Sequence, residues 1–192
     1  MTVPDEDFEL VRRCLEGEID EFQGLVEKYQ ERLSLLIYGI VLDREQARDL
    51  AQESFIKAYR SLHTFKGKSR VFTWLYRIAF NLALDAKRKK SGKNLVEYDD
   101  SVELEAVASR PGHASRPDRE IMRSELSAML IRALDTLTVP QRTAILLREW
   151  EGCSYEEISA IMKCSRGTVM SRLHYAREKI REKMKPYLAG AY

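Results

Sequence analysis

Apolar residues along this chain recur mainly at intervals of three and four, with few alternating stretches, so the pattern predicts helices and little strand. The five prolines fall near the edges of the periodic segments. The expected fold class is therefore all-α. From Ser91 to Pro117 the periodicity fades, Gly, Ser, Pro and acidic residues accumulate, and no amphipathic pattern lasts beyond about a turn. Residues 91–117 read as a flexible linker between two small helical domains, residues 1–90 and 118–192.

Punctuation is dense in the second domain. Pro140 suits the first turn of a helix, Gln141 to Trp150 are good helix formers, and Gly152 stands where a left-handed C-cap belongs. Ser154 and Glu157 have capping-box spacing, in which the hydroxyl accepts from the Glu157 amide and the carboxylate reaches back to the Ser154 amide. A short helix should start there, turn Ile158, Ile161 and Met162 inward and stop near Lys163. Ser165 is placed to cap a third helix that ends at Pro186. Two helices joined by a tight turn make a helix-turn-helix.

At about 100° per residue, the third helix sets Val169, Leu173, Ala176 and Ile180 on its packed stripe. Its opposite side carries Gly167, Ser171, His174 and Tyr175, with Thr168 and Met170 beside them and Arg166, Arg172 and Arg177 at the flanks. Small polar groups so placed can read base edges in a major groove, while guanidinium groups meet phosphates. The alternative is a solvated charged face on an ordinary helix hairpin. The coincidence of capping signals, turn spacing and basic bias favours DNA.

The first domain holds a second cluster. Phe65, Lys66, Gly67, Lys68, Ser69 and Arg70 form a short basic loop headed by an aromatic, and Ser69 is placed to cap the helix that follows to Lys90. Phe72, Leu75, Ala79, Leu82 and Ala86 make that helix's core stripe. A second stripe of Trp74, Ile78, Asn81 and Asp85 is flanked by Arg70, Arg77 and Arg88. An aromatic and an amide among arginines can stack on and hydrogen-bond to the bases of a single strand. Burial of Trp74 and Ile78 against another helix is the competing reading. On the preceding helix, Asp43 and Gln46 mark a capping-box start, and Ala47, Leu50, Ala51, Ser54 and Ala58 form a narrow small-residue stripe. The far side carries Asp49, Gln52, Glu53, Ile56 and Arg60; an apolar residue amid acids there points to a protein contact.

Charge sharpens this picture by its distribution, since the formal net charge is only +2. Asp5 to Glu31 is mostly acidic, Lys66 to Lys93 basic, Glu97 to Glu105 acidic, and Lys163 to Lys185 basic again. Two basic blocks imply two contacts with a polyanion. Cys14, Cys153 and Cys164 form no CxxC pair, which argues against a disulfide framework or a zinc site and fits a reducing cytosol. No apolar run approaches the roughly 18 to 20 residues that span a bilayer, so no membrane insertion is expected. His63, His113 and His174 lack partners at metal spacing, and neither a nucleophile-base set nor a phosphate-cradling glycine loop occurs. A cofactor and an enzymatic activity are not expected.

Three stretches together carry a resemblance: Asp49-Leu50-Ala51-Gln52-Glu53-Ser54-Phe55, Phe72-Thr73-Trp74-Leu75-Tyr76-Arg77-Ile78-Ala79, and Ser154-Tyr155-Glu156-Glu157-Ile158 with Gly167-Thr168-Val169-Met170-Ser171-Arg172. In this order, with a variable linker between the second and third, the chain resembles the extracytoplasmic-function sigma factors of RNA polymerase, and among them the envelope-stress factors of enteric bacteria. The resemblance implies that Asp49, Gln52, Glu53 and Ile56 dock on the clamp of the largest subunit of core RNA polymerase, and that the second domain meets the flap. It implies further that Phe65 to Arg70, with Trp74, Arg77, Asn81 and Arg88, recognise the −10 element and trap an extruded base. The helix from Arg166 to Lys183 would read the −35 element as duplex promoter DNA. Such factors act in the cytoplasm, commonly under an anti-sigma factor that can hold them near the inner membrane. A stand-alone activator or repressor would share the second domain but need no single-strand surface. A helical adaptor with merely solvated basic blocks would lack salt-sensitive DNA affinity.

Overall fold

The computed structural model describes residues 6–91 and 129–189, with side chains to Lys185, and no strand occurs among the described residues. The stretch read as a linker lies, apart from Ser91, outside them. Four helices build the N-terminal domain: α1 (Glu6–Leu15), α2 (Phe22–Val41), α3 (Arg44–Arg60) and α4 (Val71–Ser91). The second comprises α5 (129–135), α6 (Val139–Ile145), α7 (Tyr155–Met162) and α8 (Arg166–Ala189).

Helix α2 is the axis of the first domain. Leu25, Tyr29, Leu33, Leu36, Ile37 and Ile40 recur at helical spacing and are all buried. The helix stops at Leu42, whose left-handed backbone (φ 60°) lets its amide reach the Tyr38 carbonyl at 2.9 Å. Asp43 then opens α3, its carboxylate accepting from the Gln46 amide at 3.1 Å. The expected stripe of Ala47, Leu50, Ala51, Ser54 and Ala58 is buried, and Phe55 joins it. Helix α4 begins one residue later than its candidate cap: the Arg70 carbonyl takes the Trp74 amide at 3.2 Å, so Arg70 and not Ser69 holds the N-cap position. Its buried side is also wider than one stripe. Phe72, Leu75 and Ala79 are buried as expected, Leu82 and Ala86 only half so, and Thr73, Tyr76, Phe80, Ala83 and Leu84 are buried as well.

In the second domain, Thr138 and Gln141 cap α6 reciprocally, with Pro140 in the first turn. The α-helix ends at Ile145, short of the expected Trp150, and Leu146 to Trp150 form a wider π turn before Gly152 (φ 67°). Ser154 and Glu157 form the expected box, at 3.1 and 2.9 Å. Lys163 stops α7 in a left-handed conformation, and Ser165 accepts from the Thr168 amide at 3.1 Å to open α8. That helix continues through Pro186 to Ala189 instead of ending there. So near a C-terminus the missing proline N–H removes one bond and leaves few turns to disturb.

The two domains share one apolar core, with α7 against α4 and α6 against α2. Gly39 admits the second domain closely: a Cβ there would lie 2.5 Å from Leu146 Cδ1. Arg142, 3% exposed, donates to the carbonyls of Leu134 (2.8 Å), Asp135 and Leu137 (both 3.2 Å), and across the interface to that of Gly39 (3.3 Å). Lys87 Nζ donates to the adjacent Ile40 carbonyl at 2.8 Å. Two cations thus meet the C-terminal carbonyls of α2, where the helix dipole favours positive charge. A second contact pairs Arg32 of α2 with Glu151, Nε to Oε2 at 2.9 Å; the Glu151 side chain is only 3% exposed.

Removing the charge of Glu151 should loosen this interface while leaving each capped helix intact. For Glu151→Gln we expect a loss of about 1–3 kcal/mol in urea unfolding and faster amide exchange along α2 and α4. Unchanged exchange there would show that the apolar contacts alone hold the domains together.

Lys87 gives the closure a pH dependence. Burial first, then the charge of Arg142, pull its ammonium down from 10.5 to about 8. Between those values the unfolded chain keeps a proton that the folded state has released, so this contribution to stability rises with pH across that window. Relative to Lys87→Met, the wild-type chain should gain stability between about pH 7.5 and about pH 9.5. A constant difference would place Lys87 at its ordinary value.

Candidate nucleic-acid and polymerase interfaces

The outer face of α8 is set by what its inner face buries. Val169, Leu173 and Ala176 are at most 1% exposed, with Ile180 partly buried behind them. Arg166, Gly167, Met170, Ser171, His174, Tyr175 and Arg177 are therefore exposed, and Thr168 half so. Ser171 donates to the Gly167 carbonyl at 2.8 Å, which commits its proton to the helix and leaves its oxygen to accept. Two of the flanking arginines already have carboxylate partners: Arg166 with Glu156 at 2.9 Å and Arg177 with Glu149 at 2.7 Å. Both pairs are exposed, so they cost little to exchange for phosphate. Arg172 departs from expectation. It is 8% exposed and lies between the outer face and the core, so it does not stand out to solvent as Arg166 and Arg177 do.

The loop from Phe65 to Arg70 follows a short 3₁₀ turn at Leu62–Thr64 and turns through Gly67, whose φ of 65° suits a residue without a side chain. Lys66, Gly67, Lys68, Ser69 and Arg70 are exposed and Phe65 is half-buried. Trp74 is not the open stacking platform that its stripe suggested. It is 7% exposed, and the Phe65 ring lies 5.3 Å from it, centroid to centroid, so the loop itself covers it. On the same side of α4, Arg77 and Arg88 are exposed and Asn81 is half-buried. Arg70 points back to the second domain and meets Glu157 at 3.4 Å; Arg88 meets Asp85 at 3.3 Å.

Asp49, Gln52, Glu53 and Ile56 are all exposed on α3, with Ile56 53% exposed. Gln52 stands at the rim of a groove of about 740 Å³ between α2 and α3 on one side and α5 and α6 on the other. A second groove, about 500 Å³ and nearly all apolar, was not visible in the sequence; Leu130, Leu134, Ile145, Trp150, Ile180 and Met184 line it. Its signal would have been Trp150, a large apolar residue at the end of the predicted helix that is 67% exposed. The buried Cys153 thiol is pushed up to about 12, chiefly by burial, which makes it a poor nucleophile. No cluster suited to a metal ion, and no helix long and apolar enough to cross a membrane, occurs among the described residues.

A helix-turn-helix with an outward-facing second helix, joined to a helical domain that carries a basic aromatic loop, defines a DNA-binding transcription protein of the all-α class. Residues 25–93 match the family model described as Sigma-70 region 2, and residues 127–180 that described as Sigma-70, region 4. The chain is 40% identical to the RNA polymerase sigma-H factor of Pseudomonas aeruginosa over 100% of both chains. It is 39% identical to the ECF RNA polymerase sigma-E factor of Escherichia coli, over 93% of this chain and 94% of that relative. Among solved structures, it is similar to a sigma factor from Bartonella quintana in complex with an anti-sigma factor, with 29% identity, a TM-score of 0.65, and coverage of 86% of this chain and 97% of that one. The chain belongs to the extracytoplasmic-function sigma factors of the sigma-70 family, the subunits that direct RNA polymerase to promoters at transcription initiation.

The burial of Arg172 separates it experimentally from its neighbours. Ser171→Ala and Tyr175→Ala should leave the urea midpoint unchanged, since exposed surface positions usually move stability by less than about 0.5 kcal/mol. Arg172→Ala should cost about 1–3 kcal/mol, because it removes the packed stem of a side chain that is 8% exposed. Equal midpoints for all three would return Arg172 to the solvent-facing group.

Proposed function

We propose that this sigma factor reads its promoter through two separate surfaces and holds polymerase through a third. The carrying observation is that the N-terminal part of α8 presents Gly167, Met170, Ser171, His174 and Tyr175 outward from a helix fixed by a buried stripe. This face reads the −35 element in the major groove, with Arg166 and Arg177 exchanging their carboxylates for phosphate. The loop Phe65 to Arg70 takes an extruded base of the −10 element. There Trp74 serves as the floor beneath Phe65, and Arg77, Asn81 and Arg88 guide the unpaired strand. Asp49, Gln52, Glu53 and Ile56 dock on the polymerase clamp, and the apolar groove around Trp150 seats the flap. The chain supplies recognition and no catalytic group. It works in the cytoplasm under an anti-sigma factor, as the inhibitor-bound relative supports, and that factor holds it near the inner membrane until released.

The contact between α4 and α7 has to part for this work. By their designations the two elements lie roughly 25 base pairs apart, about 85 Å of duplex at 3.4 Å per pair. The residues from 92 to 128, fully extended, span roughly 120 Å, enough for that separation. Opening frees Arg70 from Glu157 at the same time as it separates the two readers.

Run-off transcription with core polymerase, with and without the chain, tests the reading. The chain should create new starts that share a −10 and a −35 sequence, and no starts above core polymerase would sink it. Within that assay, Ile56→Glu should fold normally but weaken polymerase binding about ten-fold or more, since a further carboxylate would be desolvated beside Asp49 and Glu53. Normal affinity with normal helix content would remove α3 from the docking face.

A further inference from the structure

Helix α1 carries a side chain that none of these surfaces uses. Its orientation is fixed by Asp7, which is 1% exposed and accepts from Lys28 Nζ at 2.6 Å and from the Tyr29 hydroxyl. Val11, 1% exposed, seats the next turn in the core. With that side held inward, the next residue, Phe8, projects about 100° further round the helix and over the loop Phe65 to Arg70. Its ring centroid lies 6.2 Å from that of Phe65, which in turn lies 5.3 Å from that of Trp74. Three rings therefore run from α1 through the loop to α4. Gly67 closes the arrangement from below: besides its positive φ, a Cβ there would come 2.9 Å from Phe8 Cε2. Phe8 itself remains 47% exposed, so the ring braces the loop without being absorbed into the core.

We infer that Phe8 is a positioning residue for −10 recognition, holding the loop so that Phe65 is set in place before a base arrives. The inference rests on the reading of that loop given above. Lys66 to Arg70 are all exposed and gain little from burial of their own, so the ring ladder supplies order that water-facing residues cannot. Without Phe8 the loop must be ordered when the base is captured, and that cost is subtracted from capture. Duplex binding by α8 does not involve it.

The test uses the full chain in holoenzyme, with a promoter duplex taken from starts mapped by run-off transcription with that holoenzyme. Wild type, Phe8→Ala, Phe8→Leu and Phe65→Ala are compared for closed-complex affinity and for strand opening by permanganate footprinting. The duplex and the same promoter carrying a mismatched −10 bubble serve as templates. Phe8→Ala should lower opening on duplex about three- to ten-fold, the scale of an aromatic contact, with closed binding unchanged within about two-fold. It should also flatten the preference for the captured base when that position is varied. Phe8→Leu, which keeps apolar bulk over Gly67, should recover most of the loss, and the bubble should recover part of it. If Phe65→Ala impairs opening while Phe8→Ala does not, the inference fails and the loop reading stands. If Phe65→Ala also opens normally, both fall. A Phe8→Ala defect that is equal in closed binding and opening, with base preference intact, would make the ring merely structural and overturn the proposal.

Discussion

A carboxylate that loses nearly all its water must find a cation, and Glu151 finds Arg32 on the other domain. Removing a charged group from water costs several kcal/mol unless a partner and good hydrogen bonds compensate. Because Glu151 sits between the π turn that follows α6 and α7, the first helix of the helix-turn-helix, satisfying it fixes where that whole unit rests. Arg32 is fixed in turn by the rings of Tyr29 and Phe72, 5.5 and 5.7 Å from its guanidinium carbon, and the buried phenol of Tyr76 lies near the same carboxylate. Burial there, reinforced by Glu151, pushes the Tyr76 hydroxyl up.

The other anchor uses the same economy of charge at the end of α2. The Gly39 and Ile40 carbonyls receive Arg142 and Lys87, one from each domain, and Gly39 leaves the room that Leu146 occupies. Burial lowers the Lys87 ammonium first, and repulsion from Arg142 at the same helix terminus lowers it further. The closed arrangement is therefore held by local attractions with a built-in opposition. Such an interface can separate where other partners compete for the same groups.

Closure treats the functional surfaces unequally. The α8 face and the α3 face look outward. The loop before α4 is tied to the second domain through Arg70 and Glu157, and to α1 through Phe8. Its state thus depends on contacts from both directions, whereas the α8 face is set by its own hydrophobic backing.

The sequence by itself determined the local features. The caps at Asp43, Ser154 and Ser165, the stop at Lys163, the stripe of Val169, Leu173 and Ala176, and the small-residue stripe of α3 all appear where the residue pattern put them. Each involves groups within about two turns, so spacing alone encodes it. The three motifs in order were enough for the family. Tertiary structure alone decided that Trp74 lies beneath Phe65, that Arg172 is packed in, that α4 is buried on more than one stripe, and that Glu151 pairs across 119 positions with Arg32. Helical periodicity tells which residues share a face but not how many neighbours that helix has. A charged side chain's fate depends on whatever long-range packing brings to it, and no spacing in the chain records that.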